Sequence, residues 1–409
     1  MIRTIPAEKL LPGMYVVDVH RSWLEHSLWR RSFLVRDEAL VRRLIADGVT
    51  EVSIDTGRGA DLPPERPPER PSSPAARSGR PAAILSLSDR MRARATVSLG
   101  EERRRAVKLL RQATAQVDDL IRCARAGRVV PLGRLEPTIG KMIESVARNP
   151  DGLVPLSRLK QMDAYASHHA IATTALMIAL ARQRGRGPGE TEKLALGTLV
   201  KDLGQAALDA RLTAKPGKLS SRERSLVHSH VEEGLVVLDA TSRLPETAVA
   251  VVLEHHERFD GSGYPYRMAG EDISSAGRMA AIVDTYDAMT SDRPYRRALS
   301  PSAALRQMYQ KGGALFDPEL VAAFVRTIGV YPVGTLVRLE SGHLAVVDEI
   351  HQDDLLRPVV RVIFHAGRRQ YVTPVRVDLS RRYGNHFGQV VRTEEFEAWG
   401  LSPLRWQPA

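Results

Sequence analysis

Between residues 150 and 328 the sequence reads as one helix after another, each bounded by its own start or stop signal. Ser220 and Glu223 stand at capping-box spacing ahead of "RSLVHSHVEEGLVVL". Ser300–Pro301 and Asp317–Pro318 each put a cap residue before a proline at the first helical position, and Gly329 closes the last segment. Amphipathic segments in such a run can hide their apolar stripes only against one another. The pattern therefore predicts an all-α domain over 149–330.

The flanks differ. Residues 1–57 alternate like strands ("MYVVDV", "SFLV", "EVSID") around one helical patch, "DEALVRRLIADG", which Asp37 would cap and Gly48 would end. This predicts a small α+β N-terminal domain. Residues 58–82 are rich in Pro, Arg and Ser and read as an extended linker. A helical connector spans 83–148. Within it, over 97–126, Val107, Leu110, Thr114, Val117, Ile121 and Ala124 recur at alternating three- and four-residue spacing. That seam would either pair with the same helix of a second copy, giving a homodimer, or pack on its own domain. Residues 331–409 predict a β-rich C-terminal module, with a hairpin at Ser341–Gly342 inside "GTLVRLESGHLAVVDEI". The expected architecture is multi-domain, with the helical domain at its centre.

Composition narrows the setting. The chain of 409 residues carries a net charge of +11, which suits an anionic ligand without choosing one. A single cysteine, Cys123, excludes an intrachain disulfide and suits a reducing compartment. The N-terminus lacks a secretory pattern, and the apolar run "TAVAVVL" is far too short to span a bilayer. A cytoplasmic protein without a membrane span is expected. Aromatic content of 5% and the absence of a recognised binding module argue against DNA or RNA as partners.

Six residues of the helical region have metal-ligand chemistry: His169, Asp202, His230, His255, His256 and Asp284. Apart from the adjacent pair, each falls on its own expected helix, and bundles build metal sites from side chains that converge on the core. Imidazole with carboxylate suits Fe, Mn or Zn. Most isolated histidines are surface or satisfied core residues, and His20, His26, His343 and His386 are read that way. His168 is read as passive, because its neighbour His169 points about 100° away on a helix. The other residues are distinguished by "EHHERFDGSGYP", in which His255 and His256 run into a loop tightened by Gly261, Gly263 and Pro265.

That loop, "HHERFDGSGYP" at 255–265, resembles the signature of the HD-GYP family of bacterial metal-dependent phosphodiesterases that hydrolyse cyclic di-GMP. "YASHHAIATTALMIALA", "KPGKLSSRERSLVHSHVEEG" and "GRMAAIVDTYDAMTSDRPYR" match further blocks of the family in order, so the likeness covers roughly 155–328. The N- and C-terminal segments also resemble domains that accompany it. The resemblance implies that His169 is the first-helix ligand and that Asp202 bridges the metals. It makes His230, His255 and His256 the ligands of one ion and Asp284 a ligand of the other. Tyr264 corresponds to the loop tyrosine. Arg293 and Arg296 fall in a block whose basic residues hold substrate phosphates, a task suited to forked guanidinium groups. Cyclic di-GMP and signalling proteins are the partners it implies.

The chain departs from the family at the dyad. The family has His-Asp followed by Gly-Lys, and here the residues are Lys201–Asp202 and Gly204–Gln205. To bind a metal Lys201 would have to lose a proton, at a cost of roughly 4–5 kcal/mol near neutral pH. The site is therefore expected to hold one divalent ion rather than two, with charged Lys201 beside Asp202 and Asp284 in place of the second. Residues 201 and 205, one helical turn apart, would share a face. Two functions follow. One is a working hydrolase, in which one metal activates water, Arg293 and Arg296 clamp the phosphates and Lys201 stabilises developing charge. The other is a degenerate relative that acts as a cyclic di-GMP receptor or protein-interaction scaffold. Survival of the six metal-binding side chains in one chain favours the hydrolase.

Overall fold

The computed structural model describes residues 2–18, 33–35, 38–46, 49–60, 97–157, 165–209, 212, 215, 217, 219–239, 244–292, 297–381 and 386–406. The chain divides into two units, Met1–Leu87 and Ser88–Ala409. Nearly all of the expected linker, the caps Asp37 and Gly48, and His20 and His26 lie outside the described residues.

The first unit is a four-stranded antiparallel sheet in the order β1-β4-β2-β3, formed by β1 (Ile2–Pro6), β2 (Tyr15–Asp18), β3 (Phe33–Leu34) and β4 (Glu51–Asp55). Helix α1 (Glu38–Ala46) joins it, and Leu44, Met14, Val16, Val52 and Ile54 share one apolar cluster. Strand β1 is additional to the expected set. Its register against β4 pairs Ile5 with Val52, so both buried side chains meet on the same face.

The second unit begins with α2 (Leu99–Arg125), capped by Ser98 through the Glu101 amide. Its buried row is Ala106, Leu109, Ala113, Val117, Leu120 and Cys123. The expected seam is thus corrected: Val117 belongs to the core row, whereas Val107, Leu110, Thr114, Ile121 and Ala124 are only half-buried. The row is turned toward α3 (Glu136–Arg148), α4 (Pro150–Ser157) and α5 (Tyr165–Gln183) of the same chain. Small residues at 106 and 113 let these helices approach closely, which a search for large apolar side chains overlooks. Buried Glu102 ties the packing together. It accepts from Ser145 Oγ at 2.7 Å and from Arg148 Nε and Nη2 at 2.7 and 3.0 Å.

Helix α5 is buried on nearly every side from Ala170 to Ala181 and forms the centre of the bundle. Around it stand α6 (Pro188–Val200), α7 (Ser221–His228), α8 (His230–Asp239), α9 (Glu246–Glu254), α10 (Ser275–Met289), α11 (Pro301–Gln310) and α12 (Pro318–Ile328). The Ser220–Glu223 capping box forms at the head of α7. Asp317 caps α12 through the Glu319 and Leu320 amides, and Gly329 ends it at φ +85°. Ser300 stands at the N-cap of α11 without a side-chain hydrogen bond.

The C-terminal part is a five-stranded antiparallel sheet, β8-β7-β6-β5-β9, made of β5 (Leu336–Leu339), β6 (His343–His351), β7 (Asp354–His365), β8 (Gln370–Asp378) and β9 (Val390–Glu394). Adjacent residues alternate between its faces. Val337, Ala345 and Val347 pack on one side, and Leu336, Leu344 and Val346 on the other with Trp406 of α13 (Pro403–Trp406). Arg103 of α2 donates to the Asp348 carbonyl at 3.0 Å, and the Ile350 amide donates to Asp151 at 3.1 Å, which seats the sheet on the helices. No described helix is long and apolar enough to cross a membrane.

Candidate metal centre

The bundle brings His169, Asp202, His230, His255, His256 and Asp284 to one place. The donor atoms of Asp202, His230, His255 and His256 lie within 4.8 Å of one another, and so do those of His169, Asp202 and Asp284. Asp202 belongs to both groups. The elements deliver these side chains mostly at helix ends rather than from helix interiors. His230 opens α8, His255 and His256 form the turn after α9, and only His169 and Asp284 lie within helices. At His230, His255, His256 and Asp202 the side chain is therefore aimed by a turn as well as by a helix.

Helix α6 stops at Val200, Lys201 caps it, and Leu203–Ala207 continue as a 3₁₀ turn. This corrects the expectation that residues 201 and 205 share a helical face. Lys201 is 0% exposed, whereas Gln205 is on the surface. The two nevertheless grip one carboxylate. Lys201 Nζ donates to Asp202 Oδ2, and Gln205 Nε2 donates to Oδ1 at 2.7 Å. The tight turn depends on Gly204. A Cβ there would collide with the His230 carbonyl and lie 2.9 Å from Gly234 Cα, so glycine lets Asp202 reach α8.

In the first group the two best-oriented imidazoles have fixed tautomers. His230 Nδ1 donates to the Val227 carbonyl at 2.6 Å, and His255 Nδ1 to the Val252 carbonyl at 2.8 Å. A carbonyl only accepts, so each Nδ1 carries a proton and each ring turns its Nε2 inward. Those two Nε2 atoms are 3.4 Å apart and 3.7 and 3.8 Å from Asp202 Oδ1. Burial, reinforced by the charge of Lys201, pushes His255 down to about 3 and so keeps it neutral. Burial and then His255 hold His256 well below the usual imidazole range. Converging imidazole nitrogens beside a carboxylate fit a divalent cation.

The second group is different. Lys201 Nζ lies 2.7 Å from Asp284 Oδ1 and 3.2 Å from His169 Nε2, in addition to its contact with Asp202. Asp202 and Asp284 accept from the ammonium, while His169 Nε2, within reach of Nζ, also lies 3.0 Å from Asp284 Oδ1. Burial opposes the charge, but Asp202 and Asp284 outweigh it and raise the Lys201 pKa above its ordinary value. In return, burial pushes both carboxylates up, but Lys201 together with the neighbouring imidazoles outweighs it and lowers Asp202 and Asp284. The residues present here do not suit a second divalent ion while this ammonium sits among them. Behind them Asp287 Oδ2 takes His169 Nδ1 at 2.6 Å. Burial and Lys201 press the His169 pKa down, yet the bonds to Asp284 and Asp287 leave it raised.

The loop after the histidines folds back on itself. Glu257, 1% exposed, accepts from the Tyr266 and Met268 amides at 2.7 and 3.1 Å. Gly263 permits this, because a Cβ there would lie 2.5 Å from Glu257 Cα. The Tyr264 amide reaches the His256 carbonyl at 3.3 Å, and its ring stacks on His256 at 4.6 Å and 25°. His228 stacks on the same ring at 3.6 Å and 4°. Two rings at those separations cannot fit over one face, so Tyr264 is sandwiched. Arg293 and Arg296 lie outside the described residues. Sequence reasoning missed Asp287, His228 and Glu257. Only Asp287 left a signal, standing three residues after Asp284 on the same face of α10.

The HD domain family matches residues 142–320, and a domain of unknown function, DUF3391, matches residues 2–135. Cyclic di-GMP phosphodiesterase PA4108 of Pseudomonas aeruginosa is 39% identical over 406 residues, covering 99% of this chain and 95% of that protein. The response regulator RpfG of Xanthomonas campestris, a cyclic di-GMP phosphodiesterase, is 36% identical over 148 residues, covering 36% of this chain and 39% of its own. A 3′3′-cGAMP-specific phosphodiesterase of Vibrio cholerae is 34% identical over 143 residues, 35% of this chain and 27% of that one. The chain belongs to the HD-GYP family, with a central helical HD domain.

Proposed function

We propose that this chain hydrolyses cyclic di-GMP with one divalent metal, and that the Lys201 ammonium stands in for the second. The carrying observation is the position of Lys201 Nζ among His169, Asp202 and Asp284, all three of them metal ligands in type. The full-length likeness to a cyclic di-GMP phosphodiesterase supports the substrate. Asp202, His230, His255 and His256 would hold an ion of Fe, Mn or Zn type. Such an ion supplies Lewis acidity and brings the pKa of water toward neutrality.

The side chains supply the rest. Asp202, fixed by Lys201 on one oxygen and Gln205 on the other, presents a charged carboxylate of set orientation. Lys201 is enclosed, so it acts by balancing Asp202 and Asp284 rather than by touching substrate. Tyr264 offers its hydroxyl edge, because both ring faces are covered. Arg293 and Arg296 would hold the phosphates. Water oxygen bonds to phosphorus, the P–O bond to the ribose oxygen breaks, and that oxygen takes up a proton as the ring opens to the linear dinucleotide.

The same lysine supports a second reading, a cyclic di-GMP receptor without turnover, since a fixed ammonium cannot exchange ligands as a metal does. The deciding experiment measures metal per chain and cyclic di-GMP hydrolysis in the unmodified protein and in Lys201→His/Gln205→Lys. Hydrolysis by the unmodified protein with about one ion per chain, rising to about two in the double variant, is the expected result. A metal-free, inactive parent beside an active double variant would overturn the hydrolase reading.

A further inference from the structure

The three imidazoles of the candidate centre are not held in the same way. His230 and His255 are aimed by Nδ1 bonds to carbonyls one turn earlier, Val227 and Val252. Among the described residues, the His256 ring is held by ring packing: His255 at 4.1 Å, His230 at 5.2 Å and Tyr264 at 4.6 Å. Of these, Tyr264 is the closest to parallel, at 25°. Tyr264 is in turn covered by His228, nearly coplanar at 4°. Residue 228 ends α7, two residues before the ligand His230, and no residue of α7 is buried in the core.

We infer that His228 is a positioning residue for the metal ligand His256, acting through the Tyr264 ring as the outer leaf of a three-ring stack. A stacked ring resists further tilting, because tilting reduces the area over which the faces touch. The stack thus does for His256 what a carbonyl does for the other two ligands. Residues 227–230 then bear on two of the imidazoles: Val227 aims His230 through its carbonyl, and His228 backs His256 through the Tyr264 ring. Nothing in this role needs the charge or the hydrogen bonds of His228, only its flat shape. The inference rests on the proposed metal centre.

The test uses the full chain and zinc alone, with affinity measured by competition against a chromophoric chelator. His228→Ala is expected to weaken zinc binding about tenfold, the lower end of the range for residues that orient a ligand. His228→Phe keeps a flat ring and should stay within about threefold of the unmodified chain. His228→Leu, which fills space without a flat face, should resemble alanine. Thermal melts of the metal-free chains check the fold. If His228→Ala melts low, the contrast between Phe and Leu decides. Equal zinc affinity in His228→Ala and the unmodified chain, or no difference between Phe and Leu, would overturn the role of His228 while leaving the centre intact. Failure of the unmodified chain to bind zinc, iron or manganese would instead overturn the centre itself, and this inference with it.

Discussion

A buried ammonium among two carboxylates and an imidazole can substitute for a divalent ion in charge but not in exchange. Burial raises Asp202 and Asp284, and Lys201 is the largest of the charges that bring them back below the ordinary carboxylate range. Removing it while keeping its length, as in Lys201→Met, leaves those carboxylates facing each other. Stability should fall by about 3 kcal/mol in urea unfolding, the scale for breaking a buried ion pair. Part of that loss should return on adding manganese, because His169, Asp202 and Asp284 then form an open site; no recovery would count against the substitution of metal by lysine. Acid should act through a different group. His255 has its pKa lowered from 6.5 to about 3, so between those values the unfolded chain binds a proton that the folded chain refuses. Stability of the metal-free protein must then decline as pH falls from 6.5, by about 1.4 kcal/mol per unit for each such imidazole. The lowered carboxylates contribute fully above their ordinary value of 3.8, raised Lys201 below 10.5 and raised His169 below 6.5, so none of them alters the slope between 6.5 and 3.8. Urea titrations at pH 7, 6 and 5 would check it, and a flat profile would contradict the neutral, buried state of His255.

At the scale of elements, the centre depends on junctions. The break after α6 turns Lys201 inward, and the 3₁₀ turn lays Asp202 against the start of α8. Gly204 is the point of closest approach, so Gly204→Ala should force the two apart. A cost of about 1–3 kcal/mol is expected from overpacking, together with loss of bound metal. Unchanged metal content in that variant would show that the turn can shift without moving Asp202. The loop at 255–265 is a second such junction, closed by Glu257 on the Tyr266 and Met268 amides.

For the whole molecule, every described donor of the centre lies between His169 and Asp284, inside the second unit. A chain of residues 88–409 should therefore bind as much metal as the full protein, measured by elemental analysis of both. A deficit in the shorter chain would show that the first unit contributes to the centre. Within the second unit, Glu102 links α2 to α3, and Arg103 links α2 to the C-terminal sheet. The long helix thus braces the bundle and the sheet together.

The metal-binding residue types, the helical class and the loop after His256 were legible in the sequence, because caps, spacing and a paired histidine are local signals. So was the oddity of Lys201, since a lysine cannot replace a ligand without losing its proton. The local pattern could not show where a helix stops when burial, not a cap, decides it. Residues 201 and 205 therefore fell to opposite sides of Asp202 instead of sharing a face. Nor could it show the buried row of α2, which followed small residues that only close packing makes useful. The sandwich of Tyr264 joins residues from two distant segments. Contacts of that kind are fixed by the fold as a whole, because nothing in either segment requires the other.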